Sequence, residues 1–82
     1  MSYFVYMLKS QGVKSVTYIG YTKDIKRRIA LHNSGKGAKF TRGRNWRLIY
    51  KEMFKSKSKA ISREYYIKKN RSLRTEIKNR KL

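Results

Sequence analysis

Cysteine and proline are both absent from this 82-residue chain, and acidic residues number only four. Without cysteine there is no disulfide and no thiolate metal site, which fits a cytoplasmic protein. There is no low-complexity tract and no internal repeat. Apolar runs are short: the longest, Tyr3 to Leu8, falls far below the ~20 residues that a membrane span needs. No charged start leads into a longer apolar segment of the kind that marks a signal peptide, so no membrane association is expected. The length leaves room for a single domain, residues 1–82. A domain of this size buries only about 60% of its unfolded surface, so its core must be thin.

Positive charge is what the chain has in excess. Twenty-three Lys and Arg against four acids give a formal charge of +19. A small domain needs a net charge of only about 2–8 for solubility. The surplus is a self-repulsion that a polyanion relieves by neutralisation and counterion release. Seven tyrosines and one tryptophan are scattered among the basic residues, a mixture suited to nucleic acid, and a nucleoid location is compatible with it.

Tyr3 to Leu8 is apolar on both faces, as a doubly covered central strand would be. A hairpin centred on Gly12, with its turn at Gln11–Lys14, brings back a second strand from Val16 to Gly20 and sets Tyr6 opposite Tyr18. Asp24 caps a first helix to about Asn33, which Asn33-Ser34-Gly35 terminates. Gly35 to Arg44, GKGAKFTRGR, reads as a mobile phosphate-contacting loop in which Lys36, Lys39, Arg42 and Arg44 meet the nucleic acid; an ordinary solvated connector is the alternative. A third strand from Trp46 to Phe54 places Trp46, Leu48, Tyr50 and Phe54 on one side. Ser56 or Ser58 starts a second helix ending near Asn70, and Ser72 starts a short third one with Leu73 and Ile77 on its apolar side. The expected class is α+β, a three-stranded antiparallel sheet with helices, in the order β-β-α-β-α-α.

Two helical positions stand out chemically. Ile25, Arg28, Ile29 and His32 fall within about 100° of one another on the first helix, so a guanidinium and an imidazole share the stripe that should face the core. On the second helix Glu64 is centred on the arc formed by Ile67, Ala60, Lys68 and Ile61. Of the other acids, Asp24 serves as a cap, Glu52 lies in a strand and Glu76 sits among basic neighbours. Glu64 is either half of a salt bridge to Arg28 or Lys68, or a ligand for Mg²⁺ or Mn²⁺. Such an ion commonly needs one or two carboxylates and fills its shell with water and substrate phosphate. With Tyr6, Tyr18, Arg28 and His32, that carboxylate makes a set able to hydrolyse a phosphodiester. The metal at Glu64 would hold the scissile phosphate, Arg28 a non-bridging oxygen, and Tyr6 or His32 would take a proton from water. Tyr6 could do so only if neighbouring cations lower its pKa. Each residue also has an ordinary reading: core tyrosines with satisfied hydroxyls, a structural histidine.

These residues resemble the GIY-YIG nuclease family. Its second signature stands here as Tyr18-Ile19-Gly20, followed by Thr22, Asp24, Arg28 and His32, with Glu64 on the later helix. HNSGKGAKFTRGR, Leu48-Ile49-Tyr50 with Glu52, and Arg63-Glu64 with Ile67-Lys68 are similar to a branch of small, stand-alone bacterial members of unassigned role. The resemblance implies paired active-site tyrosines at Tyr6 and Tyr18, a phosphate-binding Arg28 and a metal-binding Glu64. Three positions depart from the family pattern. The first signature reads Phe4-Val5-Tyr6, Tyr21 stands where several members carry Lys, and Asn70 and Asn79 are the candidates for a later asparagine. The expectation is a Mg²⁺- or Mn²⁺-dependent DNA endonuclease or nickase, with Lys68 and the C-terminal basic residues adding to the nucleic-acid surface. The alternatives are a non-catalytic DNA- or RNA-binding protein that keeps the fold, or a small basic protein on ribosomal RNA.

Overall fold

The computed structural model describes residues 2–12 and 14–79. The chain forms β1 (Tyr3–Ser10), β2 (Thr17–Thr22), α1 (Ile25–Asn33), β3 (Trp46–Phe54), α2 (Lys57–Lys69) and α3 (Arg71–Asn79), with a short 3-10 turn at Lys39–Thr41. This is the α+β order expected from the sequence. A strand that is apolar at successive positions must be covered on both faces, and β1 is the middle strand of the antiparallel sheet β2-β1-β3. Val5 and Met7 point to one face, where they pack with Ile19 and Ile49 beneath Ala60 and Ile67 of α2 and Ile77 of α3. Tyr6 and Leu8 point to the other, with Trp46, Tyr18, Leu48 and Ile29 of α1.

Two registers differ from expectation. The β1–β2 pairing aligns Tyr6 with Gly20 and Leu8 with Tyr18, a shift of two residues from a hairpin centred on Gly12. An even shift preserves the faces, so Tyr6 and Tyr18 are diagonal neighbours rather than direct partners. The turn itself includes Val13, which lies outside the described residues. On the other side, Leu8 pairs with Leu48 but Met7 pairs with Tyr50, leaving Ile49 as the extra residue of a β-bulge. The bulge turns the strand over. Trp46 and Leu48 therefore stay with Tyr6, whereas Tyr50 and Phe54 pack on the opposite face with Val5 and Met7.

Helix ends follow local chemistry. Asp24 Oδ1 accepts from the Arg27 amide at 3.1 Å, and the Ser56 hydroxyl accepts from that of Lys59, satisfying amides the helix leaves open. Asn70, not Ser72, begins α3: its side-chain oxygen accepts from the Leu73 amide at 3.0 Å. Arg74 reaches back to the carbonyls of Ile67 and Lys68 at the end of α2. The α2 arc is narrower than its wheel suggests, since Ala60 and Ile67 are buried but Ile61 is exposed. Glu52 joins β3 to α2 by accepting from Arg63 Nε at 3.0 Å and from the Tyr50 hydroxyl at 2.6 Å.

Ile67→Ala should cost about 2–5 kcal/mol in a denaturant titration, because the side chain is fully enclosed between helix and sheet. Ile61→Ala, at an exposed site on the same helix, should stay within about 0.5 kcal/mol.

Candidate active site

Tyr6 is 2% exposed and His32 1% exposed, and their side chains meet in the layer between β1 and α1. The Tyr6 hydroxyl lies 2.9 Å from His32 Nε2, and His32 Nδ1 lies 2.9 Å from Thr41 Oγ1. Thr41 settles the direction of both bonds. Its single hydroxyl proton goes to the Ala38 carbonyl at 2.9 Å, and its oxygen also accepts from the Ala38 amide. Only an acceptor position is left for His32, so Nδ1 carries the proton. Nε2 then has a free lone pair, and Tyr6 donates to it.

Both electrostatic shifts agree with that assignment. Burial lowers the His32 pKa below 6.5, and Arg28 lowers it further, which keeps the ring neutral. Burial raises the Tyr6 pKa; Tyr18 and Glu64 add to the rise and Arg28 opposes it. The Tyr18 phenol is likewise raised, first by burial and then by Glu64, against Arg28. From sequence, Tyr6 can serve as a base only if surrounding cations depress its pKa. They do not, because at this depth the desolvation of a phenolate outweighs the attraction of Arg28.

Two glycines make the arrangement possible. Gly20 lies opposite Tyr6, and a Cβ on it would stand 2.6 Å from the Tyr6 hydroxyl and 2.8 Å from its ring. The ring therefore crosses β2 only because the facing residue has no side chain. A Cβ on Gly37 would collide with the His32 ring, so the loop closes over the imidazole only with glycine there. Asn33 clamps the loop's far end, donating to the Trp46 carbonyl at 3.2 Å and accepting from its amide at 2.6 Å. The Trp46 indole donates to the Thr41 carbonyl at 2.9 Å. The Gly35–Arg44 loop is thus pinned at its centre by Thr41, which is fully buried, rather than free along its length.

Around this buried pair the structure brings together the other sequence-nominated groups. Tyr6 and Tyr18 ring centroids are 6.5 Å apart, and Tyr18 lies 4.9 Å from His32. Arg28 and Glu64 both act electrostatically on both phenols, with opposite sign. Glu64 pairs with Lys68 at 3.7 Å, the carboxylate side chain 18% exposed and the lysine 51%. Of the two salt bridges the sequence allowed, this is the one formed. Among the described residues no group of three or more His, Cys, Asp or Glu is placed to hold a metal ion. A cation here would have Glu64 as its carboxylate and take other oxygens from water and substrate, which suits Mg²⁺ or Mn²⁺.

Two grooves flank the site. A wider one of about 560 Å³ is lined by Arg28 together with Lys23, Arg27, Lys36 and Lys57. A smaller one of about 250 Å³ is lined by Tyr18, Phe40, Lys68 and Arg74. Lys57, Glu64 and Lys68 share a helical stripe at seven- and four-residue spacing, so Glu64 is on the same face of α2 as Lys57 of the wider groove and Lys68 of the smaller. Of the loop cations, Lys36 lines the first groove, while Lys39, Arg42 and Arg44 are exposed. Asn70 is engaged as the α3 cap and Asn79 is exposed at that helix's end. Thr41, Gly37, Lys23, Arg27 and Lys57 were not singled out from sequence. A threonine within a basic loop carries no local signal of burial.

The family described as GIY-YIG catalytic domain matches residues 2–78. A UPF0213 protein of Staphylococcus haemolyticus is 49% identical over 67 residues, covering 80% of this chain and 79% of that one. A UPF0213 protein of Clostridium perfringens is 49% identical over 67 residues, covering 80% and 70%. The solution NMR structure of a UPF0213 protein from Bacillus halodurans superposes with a TM-score of 0.56 at 42% identity, covering 94% of this chain and 82% of that one. The names of these relatives assign no reaction. No helix among the described residues is long and apolar enough to cross a membrane.

Gly20→Ala should displace the Tyr6 ring and cost about 1–3 kcal/mol in denaturant unfolding. The buried neutral histidine sets a direction for pH dependence. Unfolded, it titrates near 6.5; folded, below that. Below 6.5 the unfolded state therefore holds more protons, and stability falls with pH. Melting midpoints from about pH 7 to pH 5 should decline, and ¹⁵N imidazole shifts at neutral pH should report protonated Nδ1; a charged ring or the other tautomer would contradict the bonding scheme.

Proposed function

The chain belongs to the GIY-YIG family, and from that membership we propose that it is a divalent-metal-dependent endonuclease or nickase hydrolysing DNA phosphodiester bonds. The family implies a nucleic-acid substrate, and GIY-YIG nucleases generally use a divalent metal. The observation that carries the reading is the buried Tyr6–His32 bond, with Arg28 and Glu64 acting on the same pair of phenols.

In this reading Arg28 holds a non-bridging oxygen of the scissile phosphate by charge-assisted hydrogen bonds, where negative charge accumulates in the transition state. Tyr18, kept protonated by its raised pKa, donates a further hydrogen bond to the phosphate. The Tyr6 oxygen takes a proton from the attacking water as its own proton moves to His32 Nε2. The relay replaces a free phenolate by an imidazolium on His32, a charge that burial and Arg28 also oppose and that bonds to Tyr6 and Thr41 hold. Thr41 keeps the imidazole in the tautomer that can accept, and accepts from Nδ1 throughout. A hard cation held by Glu64 would neutralise the phosphate and the leaving oxygen. The wider groove leads the backbone to Arg28 past Lys23, Arg27, Lys36 and Lys57, contacts that position the strand without reading sequence. Lys39, Arg42, Arg44 and Lys68 extend the same surface.

One observation favours a second reading. The Glu64–Lys68 pair occupies the carboxylate, as it would in a DNA- or RNA-binding protein that keeps the fold without turnover. Both readings expect affinity to fall steeply with salt, so turnover must separate them.

Plasmid nicking with Mg²⁺ or Mn²⁺ should occur with the wild type. It should fall by at least two orders of magnitude in Glu64→Gln, with DNA affinity within about threefold. Strong salt-sensitive binding with no cleavage under either metal would favour the binding protein. The acid limb of the nicking rate should lie below pH 6.5, because His32 must be neutral to accept and its pKa is lowered.

A further inference from the structure

Phe40 is 55% exposed, although the turn that carries it is held from inside. Its neighbour Thr41 is fully buried, accepting from His32 Nδ1, and receives the Trp46 indole on its carbonyl. The Phe40 ring lies nearly parallel to Tyr18, at 24° with centroids 6.2 Å apart, and 6.3 Å from Trp46. Tyr18 thus stacks, offset, on part of the ring, while more than half of the residue stays exposed. The ring also lines the smaller groove, opposite Lys68 and Arg74, and Lys39 precedes it in the turn. Phosphate binding accounts for the cations but not for a large apolar ring among them.

A flat apolar surface bordered by cations, on a chain of net charge +19, is complementary to a flat base joined to a phosphate. In a regular duplex both faces of every base are covered by neighbouring bases. A protein ring can stack only on a base that has left the stack: in a single strand, at an end or gap, or turned out of the helix. We propose that Phe40 is a base-stacking, specificity-determining residue, and that the groove it shares with Tyr18 and Lys68 receives an unstacked nucleobase next to the phosphate at the candidate active site. The substrate class is then DNA with an unpaired nucleotide at the point of attack. The position of that phosphate rests on the nuclease reading; the stacking itself does not.

The test uses the full chain and two DNA ligands, a single strand and the same sequence fully paired, each with one 2-aminopurine. Binding of the single strand by wild type should quench the fluorescence. Phe40→Ala and Phe40→Leu should bind the single strand about tenfold more weakly, as expected for one base–aromatic stack, and lose the quench. Phe40→Trp should restore both, and affinity for the duplex should stay within about twofold throughout. Unchanged melting curves would show that these surface substitutions leave the fold intact. Wild-type single-strand affinity in both Phe40→Ala and Phe40→Leu, equal losses for single strand and duplex, or no quench with wild type would overturn the proposal. Quenching needs no turnover, so a protein that never nicks DNA yet quenches through Phe40 would sink the nuclease reading alone. Nicking that is indifferent to Phe40 on both ligands would sink the stacking subsite alone.

Discussion

Three buried polar groups, the Tyr6 hydroxyl, the His32 imidazole and the Thr41 hydroxyl, satisfy one another in a single hydrogen-bonded chain. They come from β1, from α1 and from the loop before β3, so one connected network fastens three segments that are distant in sequence. Buried polar groups are tolerated only when bonded, and none in this interior is left without a partner among the described residues. Much else follows from the need to close that chain. Gly20 and Gly37 leave room for the two rings, Asn33 brackets Trp46, and the Trp46 indole holds the turn that delivers Thr41.

The same burial decides the electrostatics. A protein with so large a positive charge would be expected to favour a phenolate, yet Tyr6 shifts upward because charging a buried phenol loses more hydration than Arg28 returns. His32 shifts the opposite way for the same reason. A neutral acceptor beside a protonated phenol is the outcome, an arrangement in which a proton passed inward comes to rest on the His32 ring, bonded to Tyr6 on one side and Thr41 on the other. Glu64 and Arg28 pull the phenols in opposite directions, so an anion bound at Arg28 or a cation bound at Glu64 would change that balance.

Outside the core, seven of the cations line the two grooves beside this centre. Four lysines and arginines accompany Arg28 along one groove, while the other combines cations with aromatic rings. Charge alone predicts attraction to any polyanion. The contrast between the grooves is more informative: the wider gathers five cations with Tyr3, Tyr21 and Leu31, whereas the smaller sets two cations beside the exposed Phe40 ring.

Much of the fold was legible along the chain because its signals are local. The unbroken apolar run of β1 marked the central strand, Asp24 and the pair Ser56/Ser58 marked helix starts, of which the structure uses Ser56, and Arg28, His32 and Glu64 stood out as polar groups on apolar stripes. The α3 cap was misplaced by two residues because Asn70 and Ser72 are both competent caps, and only the path of the chain selects between them. The bulge at Ile49 left no local trace, since the alternation of β3 looks regular until it is paired with β1. That Thr41 is buried, that Gly20 must lack a side chain and that the Tyr6 pKa rises depend on what crosses from another segment. Residue types and their periodicity therefore determined the elements, their order and the chemistry available. Register, burial and the direction of each proton were decided in three dimensions, because hydration and hydrogen-bond pairing depend on neighbours in space rather than on neighbours in sequence.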